Sequence, residues 1–340
     1  MFSFNNDYSE GACKQVMVDL LKTNDVQVPG YGLDPFCLTA TNMIKQITGH
    51  NDIDVHYIPG GTPANILAIS TLKSYEAVIC ADTGHINVHE TGAVEATGHK
   101  ILSVKNVNGK LTASAVEQTV LKHTDEHMVK PKMVFISNPS ELGTIYSKQE
   151  LIDLYNVCKK YNLYFYMDGA RLANALVAQG NDVSIKDITD IVDMFYIGGT
   201  KNGALLGEAM VIKNNELKPN FRYLLKQHGS MLAKARIIGV SFISLLQNNL
   251  YYSLASNANN KAQQLKHFFA SRGIRFFVDT PTNQIFPVLG NNLIKRLRQK
   301  YIFSDWEPID SNNTAVRFVC SWATKQSDID AFMAYFDEVA

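Results

Sequence analysis

Short apolar runs recur along the chain, each ending in a glycine-bearing or polar turn that leads into a segment of helical period. This alternation constrains the fold more than any other feature. The runs are 54–58 (DVHYI), 76–81 (EAVICA), 132–137 (KMVFIS), 163–168 (LYFYMD), 193–197 (DMFYI) and 208–213 (EAMVIK). Near-continuous apolarity over so few residues suits strands buried on both faces. Between them, 62–74, 86–94, 112–123, 148–161 and 171–178 read as helices. The pattern predicts an α/β fold, a mostly parallel mixed sheet with helices on both faces. A long helical segment follows at about 230–250, and then the pattern changes. Residues 254–272 read as a helix, 284–289 as a strand, 291–299 as a helix, 315–321 as a strand and 326–338 as a helix. We therefore expect a large domain over 1–252, including an N-terminal arm, and a smaller α+β domain over 253–340.

Three strand ends carry chemistry. After 54–58 comes Pro59-Gly60-Gly61-Thr62-Pro63-Ala64-Asn65, opening a helix. Glycines admit a ligand close to the backbone, and free N–H groups at a helix start hold an anion. After 163–168 comes Asp168-Gly169-Ala170-Arg171, with Arg171 as the nearest cation in sequence to the strand-end carboxylate. After 193–197 comes Gly198-Gly199-Thr200-Lys201-Asn202-Gly203, a lysine between glycines. Read singly, these are an ordinary turn with an N-cap threonine, a helix cap and a solvated loop lysine. Read together and in this order, they supply a phosphate cup, a carboxylate for a pyridine nitrogen and a Schiff-base lysine. Pyridoxal 5′-phosphate (PLP) requires these three parts. His85, in Asp82-Thr83-Gly84-His85-Ile86-Asn87, stands at another strand end, where a neutral ring can stack on the cofactor and move protons.

These motifs resemble the low-specificity threonine aldolase family of fold-type-I PLP enzymes and its β-eliminating lyase relatives. Tyr31-Gly32-Leu33-Asp34-Pro35 is similar to the family's YGxDP segment, Gly60-Gly61-Thr62 to its phosphate-binding turn, and Gly84-His85-Ile86 to its SHI segment. Asp168-Gly169-Ala170-Arg171 matches DGAR, and Thr200-Lys201-Asn202-Gly203 matches TKNG. Val316-Arg317-Phe318-Val319 resembles the C-terminal arginine segment. The resemblance implies Lys201, His85, Asp168 and Arg171 as catalytic residues. It implies Gly60, Gly61, Thr62, His85, Asp168, Arg171, Thr200 and Lys201 around the cofactor. Asn6, Tyr31, Arg171 and Arg317 would bind substrate. Asn6 stands where the family has a serine, and 137–143 (SNPSELG) lacks the family's second histidine, leaving His85, or less directly Glu141, as the base.

The implied reaction splits a 3-hydroxy amino acid, threonine, allo-threonine or a bulkier analogue such as phenylserine, into glycine and an aldehyde. The competing readings are a PLP-dependent β-eliminating lyase or aminotransferase, and a PLP-binding protein with little turnover. The resemblance also implies a homo-oligomer, dimer or tetramer, with sites at subunit contacts. Of the basic residues at 222–236, Arg222, Lys226, Lys234 and Arg236 read mainly as a solvated face. Some could instead reach a neighbour's phosphate, and His228-Gly229 suggests a turn near the site. Charge balances at 32 Lys+Arg against 32 Asp+Glu, so nucleic acid and anionic membrane are not expected partners. Five scattered cysteines, Cys13, Cys37, Cys80, Cys158 and Cys320, form no CxxC pair. They point to a reducing, cytoplasmic setting and to no metal site.

Overall fold

The computed structural model of the chain describes residues 2–340. Its strands, in chain order, are β1 (Phe2–Ser3), β2 (Asp54–Ile58), β3 (Glu76–Ala81), β4 (Lys100–Val104), β5 (Lys130–Ser137), β6 (Tyr164–Asp168), β7 (Met194–Gly198) and β8 (Glu208–Ile212). These are followed by β9 (Gln284–Ile285), β10 (Val288–Gly290), β11 (Tyr301–Ile302), β12 (Ser304–Pro308) and β13 (Asn313–Val319). Seven of them form one sheet in the order β2-β8-β7-β6-β5-β3-β4. β3 to β7 pair in parallel, and β8 runs antiparallel to its neighbours β7 and β2. The mostly parallel mixed sheet expected from the sequence is present, and each of the six apolar runs lies within two residues of a strand.

Successive side chains on these strands point to opposite faces. On β5, Met133 and Phe135 enter one core while Val134 and Ile136 enter the other; on β7, Met194 and Tyr196 oppose Phe195 and Ile197. One face is covered by helix Gly61–Ile69, through Ala64, Leu67 and Ala68. The other is covered by helices Pro35–Thr48 and Arg236–Leu246, through Ile44, Ile238 and Phe242. Apolar residues on both sides of a strand leave it nowhere to face water, which is why the runs are so continuous.

The helix expected at 86–94 is only His85–Val88, because Thr91 and Gly92 turn to positive φ, 53° and 72°, and break it. β4 was not expected. It closes the sheet at one edge, and its first residue, Lys100, faces solvent.

Beyond the continuous helix Leu250–Ser271, β10, β13 and β12 form a second sheet, with β9 also paired to β13. A third core gathers Phe269, Phe303, Phe318, Phe332 and Phe336 beneath it. The N-terminal arm joins this core. β1 pairs in parallel with β11, Phe4 N donates to Ile302 O at 2.7 Å, and Val319 N donates to Phe4 O at 2.8 Å. The Phe4 ring is fully buried among these aromatics.

Candidate active site

Strand polarity brings the chemistry to one edge of the large sheet. The loops after the C-terminal ends of parallel strands are where open α/β folds bind ligands. Gly60–Thr62 follow β2, His85 follows β3, Glu141 follows β5, Asp168 ends β6 and Lys201 follows β7. Because β8 is reversed, its first residue, Glu208, arrives at the same edge. All of these line one cleft of about 200 Å³, together with Tyr8, Arg171, Tyr196 and Thr200.

Close backbone approach explains two of the glycines. A Cβ on Gly169 would lie 1.8 Å from the Tyr196 carbonyl oxygen, and one on Gly61 would lie 3.1 Å from the Tyr196 hydroxyl. Gly60 caps the nine-residue helix Gly61–Ile69, whose first N–H groups have no partner in the helix itself.

Asp168 is 4% exposed. Its Oδ1 accepts from the Tyr196 hydroxyl at 2.5 Å and from Ala170 N at 2.9 Å, and its Oδ2 accepts from Asn65 Nδ2 at 3.0 Å. Asn65 Nδ2 also donates to Glu90 Oε1 at 2.7 Å, and His85 Nδ1 meets the same Glu90 oxygen at 2.7 Å. The Tyr166 hydroxyl donates to Asn65 Oδ1 at 2.8 Å. The two carboxylates can only accept, so they fix the amide's NH2 end toward them and leave Oδ1 to the Tyr166 hydroxyl. Burial pulls the His85 pKa down, but the Glu90 hydrogen bond and the charges of Glu141, Asp168 and Glu90 more than offset it. The net direction for His85 is upward, with the Glu90 hydrogen bond the largest of the raising causes.

Lys201 is pushed the opposite way. Burial and then the Arg171 charge lower its amine below the ordinary lysine value, against the pull of Asp7, Asp168 and Glu141. An amine that loses its proton more readily is a nucleophile nearer neutral pH. Glu208 braces the loop beneath it, accepting from Gly199 N at 2.7 Å; burial raises its carboxyl pKa.

Arg171 donates from Nε and Nη2 to both carboxylate oxygens of Asp7, at 2.7 and 3.0 Å. Asp7 is 1% exposed and also accepts from Asn283 Nδ2 at 2.9 Å. Arg171 is thus paired with a carboxylate the sequence did not single out, not with Asp168.

A family model for beta-eliminating lyases matches residues 13–290. A low specificity L-threonine aldolase of Pseudomonas sp. (strain NCIMB 10558) is 31% identical over 334 residues, covering 96% of this chain and 94% of that protein. The Pseudomonas aeruginosa protein of the same name is 32% identical over 329 residues, covering 94% and 93%. The chain belongs to the threonine aldolases of the β-eliminating lyase family. The structure of Leishmania major threonine aldolase matches with a TM-score of 0.98 at 41% identity, over 100% of both chains. Thermus thermophilus aspartate aminotransferase, at 13% identity and TM-score 0.74 over 100% of this chain and 92% of that one, shares the fold alone. The fold is that of fold-type-I PLP enzymes.

Threonine aldolases are PLP-dependent lyases, and this chain is one of them. Its residues fit the cofactor: an open helix N-terminus, a buried carboxylate and a desolvated amine line one cleft. Other expected positions differ. Asn6 does not line the cleft; its Oδ1 accepts from Tyr8 N at 3.0 Å and the Ser9 hydroxyl at 2.9 Å, capping a turn that brings Tyr8 to the cleft and Asp7 to Arg171. Tyr31 is 44% exposed, packs against Lys226 and lines a separate small pocket. Arg317 stands beside the cleft, close enough to Arg171, Asp7 and Glu141 to feel their charges. His228 meets the Ser70 hydroxyl at 3.2 Å, beyond the far end of the helix that starts at the cup.

Asp7, Asn65, Glu90, Tyr196 and Glu208 were all missed from sequence. Asn65 left a signal: it is a polar residue within GTPANILAI, a helix otherwise apolar nearly all round. Asp7 stands in Asn6-Asp7, the segment that resembles the family's serine–aspartate pair, but its pairing with Arg171 depends on contacts far away in the chain.

Proposed function

We propose that the chain cleaves the Cα–Cβ bond of a 3-hydroxy amino acid to give glycine and an aldehyde. Threonine, allo-threonine and bulkier analogues such as phenylserine are the substrates this reading covers. The observation that carries it is the convergence of Lys201, Asp168, His85 and the Gly60–Thr62 turn on one cleft, in a chain whose relatives are named low specificity L-threonine aldolases.

Bound in this cleft, the cofactor supplies a protonated pyridine ring that takes up the electron pair of the breaking bond. Asp168 would hold the proton on the ring nitrogen, with its neighbours Tyr196 and Asn65 fixing the carboxylate's orientation. The helix N-terminus at Gly60–Thr62 would receive the phosphate. Lys201 would be the amine that anchors the carbonyl carbon. Arg317 grips the substrate carboxylate: its Nε is buried without a partner among the described residues, and burial followed by the Arg171 charge lowers its pKa. An incoming anion relieves both. Arg171, with two donors held by Asp7, presents Nη1 and contributes a fixed positive charge. His85 Nε2 takes the β-hydroxyl proton as the bond breaks, and Glu141 across the cleft steadies the charge that results.

The same reading divides the chain into a large domain, 1–252, and a small one, 253–340, supported by the separate aromatic core. It takes the protein as a homo-oligomer, supported by an exposed apolar groove of about 770 Å³ that includes Met17, Leu21, Val26 and Leu205. It takes the setting as cytoplasmic, supported by five buried cysteines, all free.

The test is incubation with PLP and threonine, followed by assay of acetaldehyde and glycine. 2-Oxobutyrate in their place would mean elimination, and no product from any 3-hydroxy amino acid would refute the reading. Borohydride reduction and peptide mapping should label Lys201 in the same preparation.

A further inference from the structure

We propose that Glu90 is the positioning residue of this site, fixing the proton on His85 Nδ1 so that Nε2 is left as the proton acceptor. Through Asn65 it also locks His85 to Asp168. The inference rests on the aldolase reading for its kinetics but not for its geometry. The Glu90 side chain is 0% exposed. One of its oxygens, Oε1, takes both His85 Nδ1 and Asn65 Nδ2 at 2.7 Å, and the other, Oε2, is buried with no partner among the described residues.

A carboxylate facing a ring nitrogen at this distance can only accept, so the nitrogen must carry a proton. In a singly protonated imidazole the lone pair is then on Nε2. A carboxylate behind a catalytic histidine both selects the tautomer and stabilises the charge the ring gains. The 137–143 segment holds no second histidine, and of the histidines His85 is the one that lines the cleft.

Asn65 makes the arrangement more than a pair. Its Nδ2 hydrogens go to Glu90 Oε1 and to Asp168 Oδ2, and its Oδ1 is held by Tyr166. A single amide thus sets the spacing between the carboxylate behind the base and the carboxylate on the pyridine nitrogen. The groups that face the His85 ring are Glu90 and His89 from its own segment, Glu141 from the loop after β5, and Asp168 from the end of β6. Lys201 and Arg171 line the same cleft. Of the acids among them, Glu90 alone is hydrogen-bonded to the ring.

The experiment has an arm that does not need turnover. In protein labelled with 15N-histidine, long-range proton–nitrogen spectra of apo and PLP-loaded wild type should show His85 protonated at Nδ1. A proton on Nε2 alone overturns the proposal without touching the assigned reaction, whereas failure to cleave any 3-hydroxy amino acid overturns the reaction and leaves this result standing. In the kinetic arm, Glu90→Gln removes the charge and keeps the shape. The acid limb of kcat/KM should move to lower pH, because His85 loses the charge that favours its protonated form. The rate should fall about 10²- to 10⁴-fold, the range that a positioned general base contributes. In a His85→Phe background, the same substitution should cost less than about twofold, because coupled residues are not additive. A Glu90→Gln enzyme that is slower with an unmoved limb, or equally costly without His85, would show a merely structural role and defeat the proposal.

Discussion

Asp7 and Arg171 lie 164 positions apart and meet through two charged hydrogen bonds in a place water barely reaches. Removing one member of such a pair leaves a buried charge uncompensated, at a cost of roughly 3–5 kcal/mol. Asp7→Asn should therefore lower stability at neutral pH by about that amount, read from urea unfolding. The pH dependence has a definite sign. Burial raises the Asp7 carboxyl, but the Arg171 and Lys201 charges outweigh it and hold the pKa below 3.8. The stabilisation is thus complete above 3.8 and fades as pH falls through the lower folded value. The gap between wild type and Asp7→Asn should narrow on acidification below pH 4, and a constant gap would refute the pairing. The resemblance to the family pointed at Asn6, one residue away, because alignment fixes a motif's place but not which neighbour turns inward. Lys201, Asp168 and the cup were readable because their residue types are tied to one chemistry. Asn65 closes the cup segment without a role of its own and Glu90 belongs to no motif; what they do follows from burial and shared hydrogens that appear only once β3, β6 and the helix after β2 are side by side.

At the scale of elements, buried strands announce themselves and edge or capping pieces do not. β5 to β8 were found because both faces are apolar, whereas β4, at the sheet's rim, begins with an exposed lysine and breaks that pattern. Helix Pro35–Thr48 was missed despite readable signals: Asp34 accepts from Cys37 N, Pro35 opens the first turn and Gly49 ends it at φ 72°. The N-terminal arm is the element on which the site most depends and the one the sequence describes least, since β1 is two residues long. Phe4 is its anchor, with its ring centroid 5.3 Å from that of Phe332 and 5.5 Å from that of Phe318. Phe4→Ala should cost about 3–5 kcal/mol. It should also free the arm that carries Asp7 and Tyr8 to the cleft. Limited proteolysis should then cut within residues 5–12 well before the rest of the chain, while KM for threonine rises. An unchanged digestion pattern would show that the arm is held by something else.

At the scale of the whole molecule, the exposed apolar residues are not scattered evenly. Met17, Leu21 and Val26 share a groove with Leu205, and Leu21 is 78% exposed; Lys234 and Arg236 stand at its border. Leu21→Asp should shift the sedimentation of the protein toward a smaller species. A wild type that sediments as an active monomer would dispose of the oligomer. The reversal of β8 has a consequence of its own. Parallel neighbours need long crossovers between them, but β7 and β8 are joined by the nine residues Gly199–Gly207, and Gly198 is paired directly with Glu208 at the loop's mouth. Lys201 therefore rides on a closed hairpin loop, not on the free span of a crossover. The entropy of closing that loop is lost once, during folding, and little ordering is left for the moment of cofactor capture. Calorimetry of PLP binding should accordingly show a small heat-capacity change, the signature of a rigid receptor rather than of a segment that folds around its guest.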